Sequence, residues 1–199
     1  ENKKLLRKEL LHFPSIWFGY EQAMLNLQHG EDLYFPSDFS EGYSSIKING
    51  LIWMGDVSFM QQQIEEKINQ GFQCLKLKIG TDWKAEKEIL KQLRKTFHPD
   101  QLELRVDANG GFNFEEVKNV LDELADLGIH SIEQPIKAGN IAEMAVLCEK
   151  SPTPIALDEE LIGVLNFDDK KELLEKIKPQ YIILKPSLVG GFSGTDEWI

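Results

Sequence analysis

The sequence predicts an α/β protein, a TIM-type parallel (β/α) barrel that is incomplete within these 199 residues and shows strands one to six. Three observations predict it. Short apolar runs at 75–79, 102–107, 131–133, 155–158 and 181–185 each end on, or one residue past, a charged residue. Counted from Lys78, the steps to Asp107, Glu133, Asp158 and Lys185 are 29, 26, 25 and 27 residues, the length that a strand, a crossover helix and two loops require. One charged residue recurs at each strand's end, which is where such a barrel builds its active site.

The elements follow in order. Residues 2–12 carry Leu5, Leu6, Leu10 and Leu11 on one stripe, consistent with an amphipathic helix. Pro14-Ser15 reads as a break with a cap. From Ile16 to Leu27, Trp17, Tyr20, Ala23, Met24 and Leu27 keep helical spacing, and His29-Gly30 ends that helix. Residues 31–44, with Pro36 among Ser, Asp and Gly, read as an irregular linker. Residues 45–54 alternate and then turn continuously apolar, as a buried parallel strand does, and supply barrel strand one. Helices are expected at 57–70, 82–97, 113–127, 139–150 and 168–177, between strands at 74–79, 102–107, 130–133, 155–157 and 181–185. Gly71 and Gly128 fall just past helix ends, and Asp82 and Asn113 suit N-caps.

With 42% hydrophobic and 28% charged residues, the composition is that of an ordinary globular protein. A net charge of −11 argues against nucleic acid and anionic membrane as partners, because both call for clustered Lys and Arg. It suits an acidic metal site. Cys74 and Cys148 lack metal-ligand spacing and read as reduced, buried small residues, as in the cytoplasm. No apolar run approaches the roughly 18 residues of a membrane span, and no signal peptide is visible. Glu1 and the Glu197-Trp198-Ile199 end both read as positions inside a longer sequence.

Asp107, Glu133 and Asp158 end three consecutive strands and would point into one mouth. A single such acid is a helix cap or loop residue as readily as a ligand; three at near-constant spacing describe a hard-oxygen Mg²⁺ site, and Mn²⁺ accepts the same set. Lys76 and Lys78 stand two apart on one strand and share a face. A second cation beside a partly buried lysine favours the neutral, basic form. The plainer alternative makes both lysines solvent-facing, and the pattern alone is compatible with either. Lys185 would face Lys78 across the mouth. Asn109 either orients a ligand or substrate or makes an Asx turn, and Glu159 either pairs with Lys185 or caps a loop. A metal opposite amine bases suits removal of the proton α to a carboxylate, with the metal stabilising the enediolate.

At this point the residues resemble a known family. KLK at 76–78, RVDANGGF at 105–112, IEQPI at 132–136, IALDEEL at 155–161 and LKPSLVGG at 184–191 are together similar to the enolase superfamily, in its muconate lactonizing enzyme-like branch. SIKINGLIWMG on strand one and LKPSLVGG on strand six look most like the o-succinylbenzoate synthases of menaquinone biosynthesis. The resemblance implies Asp107, Glu133 and Asp158 as Mg²⁺ ligands, Lys78 as the base with Lys76 tuning it, and Lys185 on the opposite side of a small carboxylate substrate. The implied reaction dehydrates 2-succinyl-6-hydroxy-2,4-cyclohexadiene-1-carboxylate to o-succinylbenzoate.

It also implies an α+β capping domain, of which residues 1–44 would be the last helices and linker. Residues 45–199 would then be the partial barrel, whose strands one and six stand as edges. Two alternatives remain open: an N-succinylamino acid racemase or dipeptide epimerase using Lys78 and Lys185 as opposed bases, and an inactive piece that binds metal at most.

Overall fold

The computed structural model describes residues 2–30 and 35–199. Residues 31–34 of the expected linker lie outside the described residues. The chain divides into two compact units.

The larger unit, residues 48–160 and 174–183, holds a six-stranded parallel sheet with strands in sequence order. The strands are β1 (Gly50–Ile52), β2 (Cys74–Lys78), β3 (Glu103–Asp107), β4 (Ser131–Glu133), β5 (Ile155–Leu157) and β6 (Tyr181–Ile182). Between them run α3 (Val57–Asn69), α4 (Trp83–Thr96), α5 (Phe114–Asp126), α6 (Ile141–Lys150) and α7 (Phe167–Ile177), whose first residues belong to the smaller unit. This is the strand-one-to-six arc of a (β/α) barrel.

Register follows from side-chain alternation. Leu75, Leu77, Leu104, Val106 and Ile132 are fully buried along with Leu90 of α4 and Val117, Leu121 and Leu124 of α5. On the other face Lys78 pairs with Asp107 and Asp107 with Glu133, so the charged residues stand level across three strands. Asp82 caps α4 by accepting from Ala85 N at 3.2 Å. Asn113 and Glu116 form a capping box on α5. Gly128 takes φ +60 after α5, where a Cβ would meet Pro99 Cγ at 2.9 Å.

Among the strands and cysteines, three expectations need correction. The strand expected over 45–54 pairs only at Gly50–Ile52, because β2 offers partners to those three residues alone, from Leu75 to Leu77; Ile46 and Ile48 stand exposed. The strand expected over 181–185 is two residues long; Ile183 still donates to Leu157 O, but the chain then turns towards Pro186. Cys74 is half-buried rather than buried, because it lies on the lysine-bearing face of β2, whereas Cys148 is buried. Both thiols are free, and burial pushes them up to about 11 and about 12 respectively.

The smaller unit gathers the segment up to Lys47, residues 161–173 and residues 184–199. It contains α1 (Asn2–Glu9), α2 (Pro14–His29), α8 (Pro186–Val189) and α9 (Gly191–Asp196). The expected cap at Pro14-Ser15 is corrected: Pro14 opens α2 itself, Phe13 is the N-cap residue, and no side chain caps the turn. Ser15 Oγ instead donates to Ser187 O at 2.7 Å, and Trp17 Nε1 donates to Ser193 Oγ at 3.0 Å. Lys170 is 1% exposed, and its ammonium donates to Gly194 O and Glu197 Oε2, both at 2.8 Å. Arg7 holds the other oxygen of Glu197. Among the described residues no helix is long and apolar enough to cross a membrane.

Candidate active site

The C-terminal ends of β2, β3 and β4 bring the predicted charges together. Lys78 Nζ donates to Asp107 Oδ2 and to Asn109 Oδ1, each at 2.6 Å. Lys76 Nζ donates to Glu133 Oε2 at 2.7 Å and lies 3.6 Å from Asp107 Oδ2. Asp107 and Glu133 are buried at 1% and 3% exposure, so these are contacts of low solvent screening. Asp158, one residue past β5, is also buried.

Burial first, then the charges of Asp107 and Asp158, push the Glu133 carboxyl up to about 7, although Lys76 pulls the other way. Among the described residues, no three His, Cys, Asp or Glu side chains are gathered into a ready group for a metal ion. The carboxylates of Asp107 and Glu133 are turned to the two ammonium groups instead.

The Asx turn at Asn109 is made by the side chain of Asp107, and the side chain of Asn109 is engaged with two neighbouring side chains. The Asn109 N–H donates to Asp107 Oδ1 at 3.1 Å in an Asx turn at φ +43, while its side chain links Lys78 to Glu159 through a 2.8 Å donation to Glu159 Oε1. Glu159 therefore pairs with Asn109, and its second oxygen is buried without a hydrogen-bond partner. Gly110 is required beside it, since a Cβ there would meet Lys137 Cα at 2.9 Å. Lys185 follows β6 as the residue before α8 and belongs to the smaller unit.

Two residues escaped the sequence reading. Trp53, just past β1, lies with its ring centroid 5.8 Å from Lys78 Nζ, and its backbone is held by Gln63 at 3.0 and 3.1 Å. Gln134, next to Glu133, is wholly buried in a hydrogen-bonded cluster with Glu160. An aromatic at a strand's C-terminal end, and a glutamine wedged before a proline in an apolar run, were the signals available.

The family model for the enolase C-terminal domain-like family matches residues 59–198. The chain belongs to that family. It is 50% identical over 189 residues to an o-succinylbenzoate synthase of Desulfotalea psychrophila, covering 94% of this chain and 51% of the relative. An L-amino acid-D/L-Glu epimerase of Francisella philomiragia is 29% identical over 150 residues, 74% of this chain and 41% of the relative. Among solved structures, MenC from Desulfotalea psychrophila superposes with a TM-score of 0.86 at 49% identity, over 94% of this chain and 52% of that one. The substrate-liganded L-Ala-D/L-Glu epimerase of Bacillus subtilis gives 0.68 at 27%, over 77% and 42%. The chain spans about half the length of these family relatives.

Proposed function

We propose that the chain carries the acid–base site of a Mg²⁺-dependent lyase of the o-succinylbenzoate synthase type. One observation carries the reading: Lys78, the candidate base, sits 2.6 Å from Asp107 on the face that also bears Glu133, in a chain half-identical to such a synthase.

The donor chemistry fits a divalent cation. Three carboxylates at neighbouring strand ends are hard oxygen ligands; burial first, and then the charges of Asp107 and Asp158, raise Glu133, and a bound cation offsets that charge repulsion. When bound through Asp107, Glu133 and Asp158, Mg²⁺ would supply positive charge to the substrate carboxylate as the neighbouring carbon loses its proton. Mn²⁺ would serve equally.

The chain's own residues do the rest. Lys78 takes the α-proton of 2-succinyl-6-hydroxy-2,4-cyclohexadiene-1-carboxylate; the C–H electron pair becomes the new ring double bond and the C6 hydroxyl leaves. The proton and the hydroxide together make the one water lost, and the ring becomes aromatic. Asn109 aims the Lys78 amine through the 2.6 Å contact, Lys76 adds a second positive charge beside it, and Lys185 is assigned a further cationic role toward the substrate. The Trp53 ring lies 5.8 Å from the Lys78 amine, within reach of a cation–π contact. Residues 1–44 are read as the end of a capping domain. The acidic balance and free thiols suit a cytoplasmic enzyme of small carboxylates.

The test is loss of the cyclohexadiene's ultraviolet absorbance, in the full-length polypeptide that carries this sequence, with Mg²⁺ and with a chelator. Metal-dependent loss is expected. No turnover, with α-proton exchange on N-succinylamino acids instead, would replace the lyase by a racemase. Neither activity, with metal still bound, would leave a metal-binding piece.

A further inference from the structure

Gln134 has no exposed surface and sits at φ +39, a backbone region that side chains other than glycine seldom adopt. Such an outlier is held only by surroundings that over-determine it. Here the hold is complete. Gln134 Oε1 accepts from the N–H groups of Asp158 and Glu160, both at 3.2 Å. Gln134 Nε2 donates to Ile136 O and to Glu160 Oε2, both at 3.1 Å. An amide has two donor hydrogens and two acceptor lone pairs, and all four are used.

The main chain of the same residue reaches β5 and the loop after β3. Its N–H donates to Ala156 O at 2.9 Å, and its carbonyl accepts from Gly110 N at 2.7 Å. Glu160 extends the cluster, accepting from Gly139 N at 2.8 Å. One side chain thus spans from the residue after Glu133 to the peptide nitrogen of Asp158, and its backbone ties in the loop after Asp107. Both acids flanked this way are buried, at 3% and 1% exposure.

We propose that Gln134 is a positioning residue: with Glu160 it brackets the ends of β4 and β5 so that Glu133 and Asp158 present their carboxylates to one cation. This rests on the metal-binding reading of those acids. Neither a carboxylate nor an apolar side chain does the same work. Glutamate would set two buried carboxylates against each other, and methionine would leave the Asp158 and Glu160 N–H groups unsatisfied. An exchange of the pair is different. In Gln134→Glu with Glu160→Gln, the new carboxylate accepts both N–H groups and the new amide's donor, and only Ile136 O loses its partner.

The experiment titrates Mn²⁺ into the full chain and reads the free ion by electron paramagnetic resonance. Wild type, Gln134→Glu and the exchanged double variant are compared, each checked for folding by circular dichroism. Gln134→Glu is expected to bind Mn²⁺ about 10- to 100-fold more weakly, with the exchange recovering to within about threefold of wild type. A purely structural role would lower the melting temperature and leave the affinity of the folded molecules unchanged. That result overturns the proposal, as does a folded exchanged variant whose affinity stays weak. If Gln134→Glu does not fold, Gln134→Asn, one methylene too short to bridge, is read in its place with the same expectation. Failure of both to fold beside a native exchanged variant would assign the bracket to folding alone and overturn the proposal too. A wild-type chain that binds no Mn²⁺ refutes the metal reading itself, a result distinct from equal affinity in all three proteins.

Discussion

Replacing Glu133 by glutamine should remove a loss of stability that the metal-free wild type suffers as pH rises. Folding raises this carboxyl from 4.5 to about 7, chiefly by burial and then by the charges of Asp107 and Asp158. Below the unfolded value both states hold the proton and the residue adds no pH dependence. Between the two values the folded state keeps a proton that the unfolded chain has released, so stability falls as pH rises. Above the folded value the full cost is present, about 3 kcal/mol at 1.36 kcal/mol for each unit. Between about pH 5.5 and about pH 8 the wild type should lose about 2 kcal/mol relative to Glu133→Gln.

Urea denaturation of both proteins at the two pH values, with a chelator so that metal binding does not shift the curves, reads the titration of Glu133 together with its Lys76 and Asp107 neighbours. Glu103, Glu123 and Glu197 are lowered rather than raised, so their titration falls below the window. Equal pH slopes in wild type and variant would refute the reasoning.

Other changes test the scaffold. Asn113→Ala removes the capping box of α5 and should cost about 1–2 kcal/mol in thermal or urea unfolding, while Asn113→Gly should cost only a few tenths. Lys170→Met leaves the carbonyl of Gly194 and one oxygen of Glu197 without their buried ammonium, and should cost roughly 3 kcal/mol by urea unfolding. Leu104→Ala opens a cavity under a residue with no exposed surface and should cost roughly 2–5 kcal/mol by the same measurement.

The regular part of the fold was legible because each signal is local. Asp82 and Asn113 mark helix starts through their own side chains, and Gly71 and Gly128 mark helix ends through φ. Recurrence of one charge per strand then gave strand order and the face shared by Lys78, Asp107 and Glu133. What depends on partners was not legible. How far β1 and β6 extend is fixed by the register of β2 and β5, which alternation in one strand does not encode. The hold of Asn109 on Lys78, and that of Glu159 on Asn109, are contacts across 31 and 50 residues and follow only from the folded loops. Gln134 looks from sequence like one more polar residue in a motif; its weight comes from four side-chain hydrogen bonds made just past the ends of β4 and β5.

The most direct test of the account is Lys78→Ala in the full-length polypeptide, read by two assays on the same preparation. Turnover of the cyclohexadiene should fall by about 100- to 10,000-fold, the range for loss of a positioned base, while Mn²⁺ affinity is retained. Turnover near the wild-type rate with metal still bound would show that another group removes the proton, and would contradict the assignment of Lys78 as the base.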